Sequence, residues 1–139
     1  MQGQLRWVLA MMALVTMCVA CPPAMAADPY MTDMIKKPAY ARALKSLLDH
    51  AGKLPGWTRE VLKPKGAYVE TPLTHASIDG ITYDVFFNCE QQNCDQSALA
   101  IMFAPNGAQA WGALSQERTI SYLGAPSEAQ QAALKQALK

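Results

Sequence analysis

The chain has 139 residues, 51% of them hydrophobic, with 12 Lys and Arg against 11 Asp and Glu and a formal net charge of +1. That balance excludes a general nucleic-acid or anionic-membrane binder, which shows a basic patch or stripe. The length suits one globular domain behind a leader.

The leader is read from the first 26 residues. Arg6 supplies positive charge, Trp7 to Ala20 is an apolar run, and Ala24-Met25-Ala26 is a small-x-small cleavage site. That order marks a secretory signal peptide over 1–26, with export to the periplasm. The run is too short to be a comfortable membrane span, and no later stretch is a better one. Cys21 leaves a lipoprotein reading open, although Cys18 stands three places before it and Pro22 follows. Loss of Arg6 brings the net charge of the single domain, 27–139, to about zero.

Ala27 to Lys37 shows no pattern and reads as an extended or loosely attached N-terminus. Pro38 then opens a helix to about Ala51, with Tyr40, Leu44, Leu47 and Leu48 at helical spacing and Gly52 as its stop. Lys53 to Trp57 is a turn that delivers a large aromatic, and Pro64 to Gly66 is a second breaker. Leu73 to Ile78 reads as a strand, and Asp79-Gly80 as a hairpin turn. In the next strand Ile81, Tyr83, Val85 and Phe87 alternate with Thr82, Asp84, Phe86 and Asn88, which gives the first set the more apolar face. Ala98 to Ala104 is nearly all apolar and reads as a central strand. Ala108 to Leu114 and Thr119 to Leu123 are two more strands. Ser127-Glu128-Ala129-Gln130 is a capping box that starts a C-terminal helix. The expected fold is α+β: an antiparallel sheet of four or five strands flanked by an N-terminal and a C-terminal helix.

Enzyme signatures are scarce. There is no G-x-S-x-G elbow, H-E-x-x-H pair or phosphate-binding glycine loop. His50 and His75 read as surface histidines, and no spacing selects a pair of carboxylates. Trp57 and Trp111 read as core or sheet-covering aromatics, with an exposed binding platform as the alternative. The chain is therefore read as a non-enzyme without metal or cofactor.

The unusual element is Cys89-Glu90-Gln91-Gln92-Asn93-Cys94. Cys89 and Cys94 are the only cysteines past the leader. In an exported chain such a pair reads as a disulfide, and two cysteines cannot supply four zinc ligands. A loop tied at both ends loses less entropy on docking, so more of its contact energy appears as affinity. It is either a staple for the sheet or a preorganised protrusion that enters a concave site on a partner.

The order of motifs around this loop resembles the inhibitor of vertebrate lysozyme (Ivy) family of exported bacterial proteins. The motifs are Leu54-Pro55-x-Trp57, Gly66-x-Tyr68, Thr71-Pro72, Gly80 with Tyr83-x-Val85, Cys89-x4-Cys94, Leu99 to Phe103, and Gly112-x-Leu114-Ser115. The resemblance covers the chain from about Leu44 to Leu123. The resemblance implies an antiparallel sheet flanked by helices and a protein partner, a c-type lysozyme or a lytic transglycosylase. Some members are dimers, so a homodimer is compatible with it. It also implies that the loop residues Glu90, Gln91, Gln92 and Asn93 enter the partner's cleft. The family loop reads Cys-Lys-Pro-His-Asp-Cys, and its His bonds the catalytic carboxylates. Here Gln92 stands in place of that His, Glu90 in place of Lys, Gln91 in place of Pro and Asn93 in place of Asp. Gln92 keeps an amide donor but carries no charge, and a charge-assisted bond is about twice as strong as a neutral one. Weak or absent inhibition of c-type lysozyme is expected. A non-inhibitory family paralogue that binds another envelope component is the alternative.

Overall fold

The computed structural model describes residues 23–139. Most of the expected signal peptide, 1–22, lies outside the described residues; 23–26 are exposed and have no regular structure. The elements in order are α1 (Met31–Met34), α2 (Pro38–His50), a 3₁₀ helix (Gly56–Leu62), β1 (Tyr68–Glu70), β2 (Thr74–Ile78), β3 (Ile81–Glu90), β4 (Ser97–Phe103), a short 3₁₀ turn (Pro105–Gly107), β5 (Ala110–Gln116), β6 (Thr119–Leu123) and α3 (Glu128–Ala137).

The strands form one six-stranded antiparallel sheet in the spatial order β1-β3-β4-β5-β6, with β2 also paired to β3. One long strand therefore carries two short partners. β2 takes the first half of β3, from Ile81 to Val85, and β1 takes its end, from Asn88 to Glu90. Pro72 sits in the break between them, where an edge tolerates a residue without an N–H. The α+β class and the flanking helices match the expectation; the sheet has one strand more.

Helices cover both faces of the sheet. Phe86, Leu99, Ile101, Phe103, Leu114 and Leu123 face α1, α2 and the 3₁₀ helix in the larger core. Val85, Ala100, Met102 and Ala113 face Leu134 of α3. All seven residues of β4 are buried, which explains its unbroken apolar run: a strand covered on both sides has no polar face.

The alternation in β3 points the other way from the sequence reading. Phe86 and Asn88 are both fully buried, on the larger core side. Phe86 meets Phe103 edge-on at 6.1 Å, and Phe103 meets Tyr40 at 5.0 Å. Asp84, on the same face, accepts a 2.8 Å hydrogen bond from the Tyr40 hydroxyl. The apolar set Tyr83 and Val85 meets the smaller layer under α3. Pattern alone could not rank the two faces, because α3 gives the second face a core of its own.

Burial, and secondarily the bond to Asp84, pushes the Tyr40 phenol up to about 12. A raised folded value favours the protonated form. Its contribution to stability is therefore intact below pH of about 10, the ordinary tyrosine value, and is lost as pH rises toward the folded value. Urea unfolding between neutral and strongly alkaline pH should show a steeper alkaline loss for the native protein than for Tyr40→Phe.

The N-terminal segment is not loose. Met31 and Met34, three apart on one turn, are buried. The Thr32 backbone N–H and hydroxyl donate to the Glu70 carboxylate at 3.1 and 2.8 Å. The Leu73 N–H reaches the Pro29 carbonyl at 2.8 Å. A four-residue helix gives almost no periodic signal, so its anchoring could only be seen in the fold.

Turn chemistry set one strand boundary. Asp79 and Gly80 both have positive φ, as the dipeptide led us to expect. Glu117 and Arg118 also have φ of 48° and 70°, but neither is the Gly or Asn that normally announces such a turn. β5 therefore runs on to Gln116, beyond the expected end at Leu114, and starts at Ala110 rather than Ala108.

At the C-terminal helix the capping box is closed. Ser127 Oγ accepts from the Gln130 N–H at 3.3 Å, and Gln130 Oε1 accepts from the Ser127 N–H at 2.9 Å. Ser127→Ala is expected to cost about 1 kcal/mol, read as a lower urea midpoint at unchanged slope.

Candidate functional site

The disulfide joins Cys89, at the end of β3, to Cys94, with Cα atoms 4.9 Å apart. Cys89 is fully buried on the α3 side of the sheet, opposite Ala98, while Cys94 is exposed. One end of the staple is thus set in the sheet, and the other projects with the loop.

Inside the staple the residues divide into two pairs. Glu90 and Asn93 are half-buried and bond each other: the Asn93 N–H donates to the Glu90 carbonyl at 3.0 Å, and Asn93 Nδ2 donates to the Glu90 carboxylate at 2.7 Å. Gln91 and Gln92 are exposed between them. Gln92 has φ of 66°, a left-handed conformation uncommon outside Gly, Asn and Asp. The turn and the disulfide together hold this backbone and turn the two glutamine side chains outward.

The base of the loop is braced from two further directions. Gln96 and Ser97 both donate backbone N–H groups to the Asn93 carbonyl, at 3.1 and 2.9 Å, and the Glu117 N–H reaches the Gln96 carbonyl at 2.9 Å. Trp57 Nε1–H donates to Ser97 Oγ at 2.8 Å. Trp57 is buried, so of its two readings the core one holds; its indole ties the 3₁₀ helix to the foot of the loop. Trp111 is half-buried and meets Tyr83 edge-on at 6.0 Å on the α3 face.

The fold sorts the four loop residues into two roles. All four loop residues were candidates for contact with a partner, Glu90 among them in place of the family Lys. The fold gives Glu90 and Asn93 a structural task and leaves Gln91 and Gln92 as the outward pair. Spacing could have hinted at this, since residues three apart in a tight turn bond one another. Beneath the loop, the fully buried Asn88 side chain and the Tyr68 hydroxyl have no hydrogen-bond partner among the described residues, a costly placement that no sequence signal marked.

His50 and His75 stand apart from the loop. His75 Nδ1 lies 3.2 Å from Asp84 Oδ1 across the β2–β3 pair, a carboxylate partner invisible in linear spacing. His50 Nδ1–H donates to the Ser46 carbonyl. Among the described residues no group of three or more His, Cys, Asp or Glu is placed to hold a metal ion, and no helix is long and apolar enough to cross a membrane.

No protein-family model matches the chain. It is similar to an uncharacterized protein of Yersinia pestis, with 26% identity over 129 residues that cover 84% of this chain and 80% of the relative.

Proposed function

We propose that this is an exported, periplasmic binding protein of the Ivy type, which inserts the Cys89–Cys94 loop into the active site of a peptidoglycan-cleaving glycosidase. The observation that carries this reading is the construction of the loop: a disulfide, an internal Glu90–Asn93 clasp and a braced foot behind two outward glutamines. Such a loop is ordered before it docks, which preserves affinity. In this reading Gln92 donates its amide N–H to a catalytic carboxylate in the cleft.

A neutral donor suits a site that relies on one catalytic Glu, as in lytic transglycosylases, better than the two-carboxylate cleft of a c-type lysozyme. The same Gln92, in place of the family His, also favours the second reading, a paralogue that kept the scaffold and binds another envelope component.

Titration of a lytic transglycosylase and of hen lysozyme with the purified protein tests the proposal. Saturable inhibition of the transglycosylase is expected, with no nanomolar inhibition of hen lysozyme. Gln92→Ala should weaken the inhibited complex about tenfold, within the range of an interface hot spot. If neither enzyme is inhibited and a pull-down from periplasmic extract captures no muramidase, the second reading takes its place.

A further inference from the structure

At the end of the sheet opposite the loop, a groove of about 510 Å³ runs between α2 and the connections that follow β4 and β6. Its volume lies within the range of small-ligand sites, roughly 300–1,000 Å³. Ala43, Leu47 and Ala110 give it an apolar floor. Its far wall is low because Gly107 and Gly124 stand there, both left-handed, with φ of 69° and 78°. Close approach requires them: a Cβ on Gly107 would lie 2.7 Å from the Tyr40 ring, and one on Gly124 would lie 2.8 Å from Leu47 Cδ1.

The helix wall is polar and positive. Arg42, Ser46 and His50 recur every four residues, on one stripe of α2. No carboxylate lines the groove. Arg42 has no acidic partner among the described residues, whereas its neighbours Lys45 and Arg59 share Asp49. His50 spends its Nδ1–H on the Ser46 carbonyl at 2.7 Å. When the ring is neutral, this bond leaves Nε2 as the acceptor. Arg42 and His50, eight residues apart, are separated by about 12 Å along the axis at 1.5 Å per residue. A cation for an anion thus stands at one end and an acceptor for an N–H at the other, with Ser46 and the apolar floor of Ala43, Leu47 and Ala110 between.

We propose that this groove binds a short extended peptide by its free C-terminal carboxylate. The Arg42 guanidinium takes the carboxylate, in the bidentate geometry that suits this pair. Small side chains lie on Ala43, Leu47 and Ala110, and His50 Nε2 accepts from a peptide N–H. At about 3.3–3.6 Å per extended residue, three to four residues span the two polar ends. This site is independent of the loop and of the function proposed for it.

The test is a titration of the ¹⁵N-labelled protein, followed by amide chemical shifts, with N-acetyl-Ala-Ala-Ala, its C-terminal amide and inorganic phosphate. The free acid should shift Ala43, Leu47, Gly107 and Gly124 saturably, with half-saturation below about 1 mM, and leave Gln91 and Gln92 unmoved. The amide should bind at least tenfold more weakly. Arg42→Gln should remove the preference for the acid, and Arg42→Lys should retain part of it; Arg42 is exposed, so both variants should fold. Equal binding of acid and amide overturns the proposal, as does phosphate binding as tight as the peptide's. No shift at these four residues at about 10 mM acid, weaker than any useful affinity, overturns it too.

Discussion

Phe86→Ala is expected to cost about 3–5 kcal/mol of stability, the largest single loss we anticipate, while Phe87→Ala should cost less than half of that. Phe86 is fully buried against Phe103 in the larger core, whereas its neighbour is only half-buried on the α3 face. Removal of the Phe86 ring leaves a cavity walled by β4, which is buried on both sides and has little freedom to collapse inward. Urea unfolding of the two variants decides the matter. Equal losses, or a larger one for Phe87, would mean that β3 presents the other face to α2, because a shift of one residue in register exchanges every side chain between faces.

The same strand shows what linear pattern could and could not convey. The existence of β3, its hairpin at Asp79-Gly80 and the buried β4 were legible, because alternation and unbroken apolar runs are local signals. The side of β3 that meets the main core was not legible, since it depends on which helix packs where. Polar residues misled for a related reason. Asp84 and Asn88 look solvent-facing in a pattern of alternation, yet Asp84 anchors the Tyr40 hydroxyl and Asn88 is fully buried. Tertiary partners 11 to 44 residues away along the chain, such as Val85 for Thr74 or Asp84 for Tyr40, leave no mark on spacing. In the loop, the disulfide pair was legible from cysteine count alone. The division of its contents into a Glu90–Asn93 clasp and an outward Gln91–Gln92 pair required the turn geometry.

The second large effect concerns that loop. The double substitution Cys89→Ala and Cys94→Ala should lower stability by about 2 kcal/mol, the chain-entropy contribution of closing a loop this short. Its effect on partner binding should be larger. Without the staple the loop becomes mobile before docking, and ordering each of its residues costs about 1–2 kcal/mol of backbone entropy. A fall of about 100-fold in affinity for the glycosidase proposed as its partner is expected, seen chiefly as faster dissociation. Isothermal titration of the native and double-variant proteins against the same enzyme gives the comparison, and a strong reductant should reproduce the variant's result in the native protein. The Glu90–Asn93 clasp predicts that the loop keeps some residual order, so binding should weaken without vanishing. Unchanged affinity would leave the staple as a stabiliser of the hairpin only.

If the loop occupies a glycosidase active site, as proposed, a sugar that fills the same cleft must compete with it. The inhibited glycosidase is preloaded with increasing amounts of a non-hydrolysed oligosaccharide that fills its catalytic cleft, and the affinity of this protein is measured at each step. A plug predicts that apparent affinity falls in proportion to cleft occupancy, because loop and sugar exclude each other. Binding that stays constant while the cleft is saturated with sugar would contradict it and place the contact elsewhere on the enzyme.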